Sequence, residues 1–225
     1  MFTQNKVSHS SALILTGIGL CLAAPLAVAN TPSSADLVAA CDAVAAHPDD
    51  PDSIGPPHVK AEIDLPKAID ACHKASEAEP DNMRIRYQYA RMLFYSGERN
   101  NSIREMKTAA DNGYRQAQFV YGVFVNYQRE GAPADLCITE KYWKKSAAQG
   151  RQAAIVNYVK ERIKGRFAGC DDMASKEEMS NWLKEAESES GSYYETLFIK
   201  DLSERLAVKN SDITPTSSQD NEPKW

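Results

Sequence analysis

The chain has 225 residues, of which 43% are hydrophobic, 25% charged and 8% aromatic, enough for one modest core or a short array of repeats. Such a composition excludes collagen-like, wholly disordered and polytopic membrane architectures. The formal net charge is -5, and without any basic run the chain has no electrostatic reason to hold nucleic acid or an anionic membrane surface.

Residues 1–29 open with a polar stretch holding Lys6 and His9. An apolar stretch follows from Ala12 to Leu26, broken only by Thr16, Gly17, Gly19 and Pro25, before Ala27-Val28-Ala29. This order predicts a secretory signal peptide cleaved after Ala29, with export to the periplasm or beyond. An uncleaved anchor needs about 20 continuously apolar residues, which the segment lacks. Lipidation at Cys21 is disfavoured, because Leu20 is bulkier than the small residue that lipoprotein signals resemble carrying there. Cleavage leaves Cys41, Cys72, Cys137 and Cys170, an even set in an oxidising compartment, for which disulfides are the default. Spacing favours Cys41 with Cys72 and Cys137 with Cys170. Metal ligation is the rival reading, but no CxxC, HxxxH or HExxH is present.

Residues 30–65 are expected to hold one helix, 34–46, and a loop rich in Pro and Asp. Its start is marked by Ser33 with Asp36. Further helices are expected over 66–79, 82–96, 99–112, 114–129, 135–149, 151–164, 176–189 and 192–208. Starts are signalled by Asp64 before Pro66, by Pro80-Asp81 and by Ser175 with Glu178. Ends are signalled by Gly97, Gly113, Gly131, Gly150, Gly165 and Gly191. No run alternates long enough for a hairpin, so the chain reads as all-α. In 82–96 the buried stripe is Ile85, Tyr89, Met92 and Leu93; in 192–208 it is Tyr194, Phe198, Leu202 and Leu206, making that helix a cap. Residues 209–225, polar apart from a terminal Trp225, are expected to be disordered in isolation.

Similar segments recur. Ala75 and Ala109 stand 34 residues apart, Ala110 and Ala147 37, and Trp143 and Trp182 39. Periods of this size belong to helix-turn-helix solenoids, whose neighbours supply each other's core. The stretch from Met106 through Thr108-Ala109-Ala110 and Gly113-Tyr114-Arg115-Gln116-Ala117-Gln118 to Tyr121-Gly122-Val123 resembles a junction between Sel1-like repeats, relatives of the tetratricopeptide repeat. Tyr142-Trp143-Lys144-Lys145-Ser146-Ala147-Ala148-Gln149-Gly150-Arg151-Gln152-Ala153-Ala154 looks like the next junction. The resemblance spans about residues 66–208 and weakens at Tyr158, which stands where Ala90 and Gly122 are small. Cys41-Asp42 through Ile69-Asp70-Ala71-Cys72 also looks like a segment preceding such repeats in some secreted bacterial proteins. The resemblance implies a right-handed α-solenoid in which the first helix of each pair lines a concave groove that binds protein or peptide. Small residues at 90, 109, 110, 117, 122, 147 and 153 independently suit close helix approach.

Catalytic and metal chemistry find no foothold. Asp49, Asp50 and Asp52 suggest a calcium loop, but counting from Asp50 the fifth and twelfth positions are Ile54 and Ala61, so a rigid, solvated loop is expected. Glu177, Glu178, Glu185, Glu187 and Glu189 read as a solvated helix face. Asn100-Asn101-Ser102 fits a glycosylation sequon, with a helix cap the simpler account. Alignment on Ala90, Gly122 and Tyr158 instead assigns Arg84, Tyr87, Arg91, Tyr95, Gln116, Tyr127, Gln152 and Arg162 to a locally positive groove wall suited to an extended peptide or an acidic tail. The competing account makes the tyrosines core, with the arginines snorkelling over it. The expected function is a monomeric, cofactor-free and non-catalytic periplasmic scaffold or adaptor that binds a protein or extended peptide, acting as a regulator of an envelope signalling or secretion system. The alternative is a cell-wall-acting enzyme or its accessory factor.

Overall fold

The computed structural model describes residues 31–129 and 131–208, and apart from Thr31 these belong to one unit beginning at Pro32. The expected signal peptide and the tail with Trp225 lie outside the described residues. Within them run α1 (Ser34–Ala45), α2 (Leu65–Ala78), α3 (Met83–Ser96), α4 (Arg99–Asp111), α5 (Arg115–Asn126), α6 (Leu136–Ala147), α7 (Gln152–Ile163), α8 (Lys176–Ser188) and α9 (Tyr193–Val208), with a short 3-10 turn at Lys60–Glu62. No strand occurs among the described residues.

Local chemistry sets these boundaries. Ser33 with Asp36 and Ser175 with Glu178 form reciprocal capping boxes on α1 and α8, and Asp64 caps α2 ahead of Pro66. Gly97 adopts φ 97°, which lets Glu98 N–H reach the Leu93 carbonyl at 3.0 Å and close α3. Gly113, Gly131, Gly150 and Gly165 also have positive φ, whereas Gly191 does not. Three expectations need correction. Asn82, not Asp81, caps α3, because the helix begins at Met83 and only Asn82 lies where its side chain meets the Ile85 N–H. Helix α5 stops at Asn126 rather than 129, since Gln128 turns left-handed before Gly131 is reached. Neither Asn100 nor Ser102 caps α4; Ser102 is buried within the helix and donates to the Ala90 carbonyl at 2.7 Å.

Each helix packs on the next, with further contacts from α1 to α3 and from α7 to α9. The apolar interior is divided into three successive clusters: α1–α3 around Cys41, Cys72 and Ile85, α3–α6 around Tyr87, Met106 and Tyr121, and α6–α9 around Trp143, Tyr158 and Leu202. The described chain is thus an α-solenoid of helix pairs (α3/α4, α5/α6, α7/α8) preceded by the α1/α2 hairpin. Small residues bring paired helices together: Thr139 donates to the Gly122 carbonyl as Ser102 does to that of Ala90, and the Trp143 indole lies against Gly122. At Tyr158 the third pair departs from this plan. Its ring packs with Phe167 and Trp182, and its hydroxyl donates to Glu140 at 2.6 Å while accepting from the Ala174 N–H at 2.8 Å. The tyrosine thereby packs against the 164–175 connection, which supplies both Phe167 and Ala174.

Disulfides join Cys41 to Cys72 and Cys137 to Cys170, pairing α1 with α2 and α6 with the connection after α7. On α9 the buried residues are Ile199, Leu202 and Leu206, while Tyr194 is 81% and Phe198 43% exposed, contrary to the stripe expected from sequence. A row of residues four apart winds about 40° per step at 3.6 residues per turn, so Tyr194 lies roughly 120° round the helix from Leu206. Packing of α9 on both α7 and α8 selects the Leu202–Leu206 end of that row.

Candidate functional site: a cleft beside a docked acidic loop

Five of the eight residues assigned to the groove wall from sequence are engaged in three neighbouring sets of contacts whose partners come from the chain itself. Arg84 ion-pairs with Asp42 of α1, which also accepts from Gln88 at 2.9 Å. Arg91 donates to the carbonyls of Ala45 at 2.9 Å and His58 at 2.7 Å and to the Tyr95 hydroxyl at 3.1 Å. Tyr87 is buried and accepts from Gln116, whose own oxygen accepts from Arg151 at 2.6 Å. Arg84 and Arg91 therefore hold the N-terminal segment directly, Tyr95 supports Arg91, and Tyr87 and Gln116 act on the segment through Arg151. Tyr127 is 52% exposed and lies under Arg129. Arg162 packs against Met173, and Gln152 donates to the Ala186 carbonyl.

The loop between α1 and α2 is docked rather than solvated. Arg115 grips Asp52 through two hydrogen bonds of 2.8 and 2.7 Å, Tyr114 donates to Asp50 at 2.6 Å, and Arg151 donates to the Asp49 carbonyl at 2.8 Å. Tyr114 and Arg151 are the N-cap residues of α5 and α7. The acidic loop thus crosses the N-terminal ends of these helices, where the macrodipole also favours carboxylates. Close approach to α1 is fixed at Gly55, where any Cβ would strike the Asp42 carbonyl. Burial raises the Asp50 pKa against the lowering effect of Tyr114, and partial burial together with the Asp50 charge pushes the Tyr114 hydroxyl well above its ordinary range. Two of the three carboxylates that suggested a calcium loop, Asp50 and Asp52, are thus employed in binding Tyr114 and Arg115, and among the described residues no cluster of His, Cys, Asp or Glu suits a metal.

Beyond the docked loop lies a cleft of about 640 Å³. Pro48–Pro51 form one wall, α5 contributes Phe119, the start of α7 brings Arg151, Gln152, Val156 and Asn157, and α9 supplies Glu195, Phe198 and Ile199. Phe119, Val156 and Ile199 give it an apolar floor, and the Arg151 guanidinium sits 5.3 Å from the centre of the Phe119 ring. Burial lowers the Arg151 pKa from its ordinary value. Gln152 alone of the eight sequence-derived groove residues lines this space.

No family model and no curated protein matches the chain. Among solved structures it is similar to a Sel1 repeat protein from Oxalobacter formigenes, at 17% identity and a TM-score of 0.47, covering 59% of this chain and 98% of that one.

Phe119, Val156, Asn157, Glu195 and Phe198 escaped sequence reasoning, because alignment of repeats finds equivalent positions and not the space left where a cap meets a loop. Two signals pointed the right way. Residues 46–64 form a long connection inside a compact array, the kind of segment that commonly carries function. Arg115 and Arg151 each precede a Gln-Ala in successive junctions, opposite in charge to the loop that they hold.

Proposed function

We propose that the chain is an exported, non-catalytic interaction module that acts as a monomer and grips an extended segment of a partner protein in the cleft between the Pro48–Pro51 loop and α5, α7 and α9. The observation that carries this reading is the cleft itself, an open apolar floor with polar edges built from four separate stretches of chain. Within the sequence-derived set, Gln152 belongs to the binding surface. Arg84, Tyr87, Arg91, Tyr95 and Gln116 act one step back, fixing the loop that forms its wall. Export is supported by the signal-like first 29 residues and by the two disulfides. A cell-wall-acting enzyme would need a perturbed carboxylate facing a substrate pocket. Two carboxylates have a pKa raised by burial: Glu140 bonds Tyr158 inside the α6–α9 cluster and does not line the cleft, and Asp50 borders the cleft but is taken up by the Tyr114 hydroxyl and the Asp52 N–H.

The test is to pan a displayed random-peptide library on the disulfide-intact chain and to rebind the recovered peptides to a Val156→Glu, Phe198→Ala variant. Peptides lost by the variant, whose circular dichroism and melting match the parent, support the cleft; retention of every peptide overturns it.

A further inference from the structure

We infer that the segment filling the cleft carries a lysine or arginine between apolar residues, with its cation taken by Asp49 and Glu195; this rests on the reading of the cleft just given. Four charged side chains line the space: Asp49, Asp50, Arg151 and Glu195. Two of them are committed. Asp50 accepts from the Tyr114 hydroxyl at 2.6 Å and from the Asp52 N–H at 3.1 Å. Arg151 is engaged by Gln116 and the Asp49 carbonyl and lies over Phe119.

Asp49 and Glu195 differ. Their carboxylates make no hydrogen bond or ion pair among the described residues, and both residues are exposed. With Asp49, Asp50 and Glu195 set against the single Arg151 guanidinium, which lies within electrostatic reach of Asp49 and Asp50, the cleft is negative on balance, opposite in sign to the positive wall expected from sequence. Of the arginines meant to supply that positive wall, Arg84 is held by Asp42, Arg91 by the Ala45 and His58 carbonyls, and Arg162 lies against Met173.

The apolar surface has an independent bearing on the ligand. From Phe198 at the cleft edge, α9 continues outward through Leu197, Tyr194 and Tyr193, which are 43, 45, 81 and 71% exposed in that order. Such a patch, beside an apolar floor, suits a segment with apolar residues on both sides of its cation. A lysine or arginine stem can lie along Phe119 and Val156 while its head reaches the carboxylates. An acidic segment would meet like charge at both.

The peptides recovered by panning decide the matter, since their composition is read separately from their dependence on the cleft. Expected are peptides enriched in Lys or Arg flanked by Leu, Phe, Tyr or Val, with binding that weakens as salt is raised from 50 to 500 mM. Asp49→Asn and Glu195→Gln, both at exposed positions, should each weaken them about two- to fivefold and together about tenfold. Peptides that need Val156 and Phe198 but show no basic enrichment, or whose affinity ignores both neutralisations, overturn this inference and leave the proposed function standing. Basic peptides indifferent to the Val156→Glu, Phe198→Ala variant, or no peptides at all, overturn both.

Discussion

A Cβ on Gly122 would come within 2.5 Å of the Trp143 Nε1, and the indole cannot retreat, because it is buried and donates to the Phe119 carbonyl at 3.1 Å. Gly122→Leu should therefore overpack the α5/α6 contact and cost about 1–3 kcal/mol, read as a lower urea midpoint with little change in slope. His47 gives a second prediction at this scale. Burial, reinforced by the nearby Arg91 and Arg151 charges, lowers its pKa to about 4, and its Nδ1 accepts from the Asp49 N–H at 3.0 Å. Protonation would turn that acceptor into a donor. With the folded value depressed below the unfolded 6.5, the stabilisation is complete above about pH 6.5 and is lost as pH falls through about 4, at most roughly 3 kcal/mol. Asp50 and Glu140, raised by burial, act in the opposite sense, their contribution being full below the unfolded carboxylate range and fading as pH rises. The difference between the parent and His47→Gln in urea unfolding at pH 7 and pH 4.5 isolates the histidine; equal losses in both would refute its role.

Helices were the most legible level, because each carries its own start and stop. Ser33, Asp64, Ser175 and Gly97 act through bonds only a few residues long, so sequence alone locates α1, α2, α8 and the end of α3. What a helix faces is a tertiary matter, and α9 shows it: several rows of its surface are apolar, and packing on α7 and α8 chose among them. Cysteine pairing was readable for the reason helices were, each bridge joining neighbouring elements 31 or 33 residues apart. In the chain-entropy account, closing loops of that size stabilises by about 3–4 kcal/mol each. Cys41 and Cys72 are both fully buried, whereas Cys137 is partly accessible. Graded dithiothreitol followed by alkylation and mass spectrometry should therefore trap Cys137 and Cys170 first. The same order should appear as early proteolysis within residues 164–175.

Over the whole described molecule, the least legible feature is the docked loop, since its contacts reach 63, 64 and 102 residues along the chain. Repeat alignment compares neighbours and is blind to a segment that visits two pairs at once. Ordinary solenoids are stabilised by nearest-neighbour terms and fray from their ends. Here Asp52 with Arg115 and the Asp49 carbonyl with Arg151 tie the α1/α2 hairpin to the second and third pairs. Asp52→Ala with Arg151→Ala should separate the unfolding of α1–α3 from that of α7–α9, seen in calorimetry as a van't Hoff enthalpy falling below the calorimetric one. A single cooperative transition in that double variant would deny the loop this role.

The tie also bears on how such a chain can grow. Solenoids lengthen by copying a unit, a change that disturbs only the two faces at the point of insertion. An extra pair placed between α4 and α5 would carry Arg115 and Arg151 away from Asp52 and Asp49, leaving the buried Asp50 without its Tyr114 donor. The span of one nineteen-residue connector, 46–64, thus fixes how many helices stand between the α1/α2 hairpin and α7, and gain or loss of a pair within that stretch requires the connector to be resized at the same time.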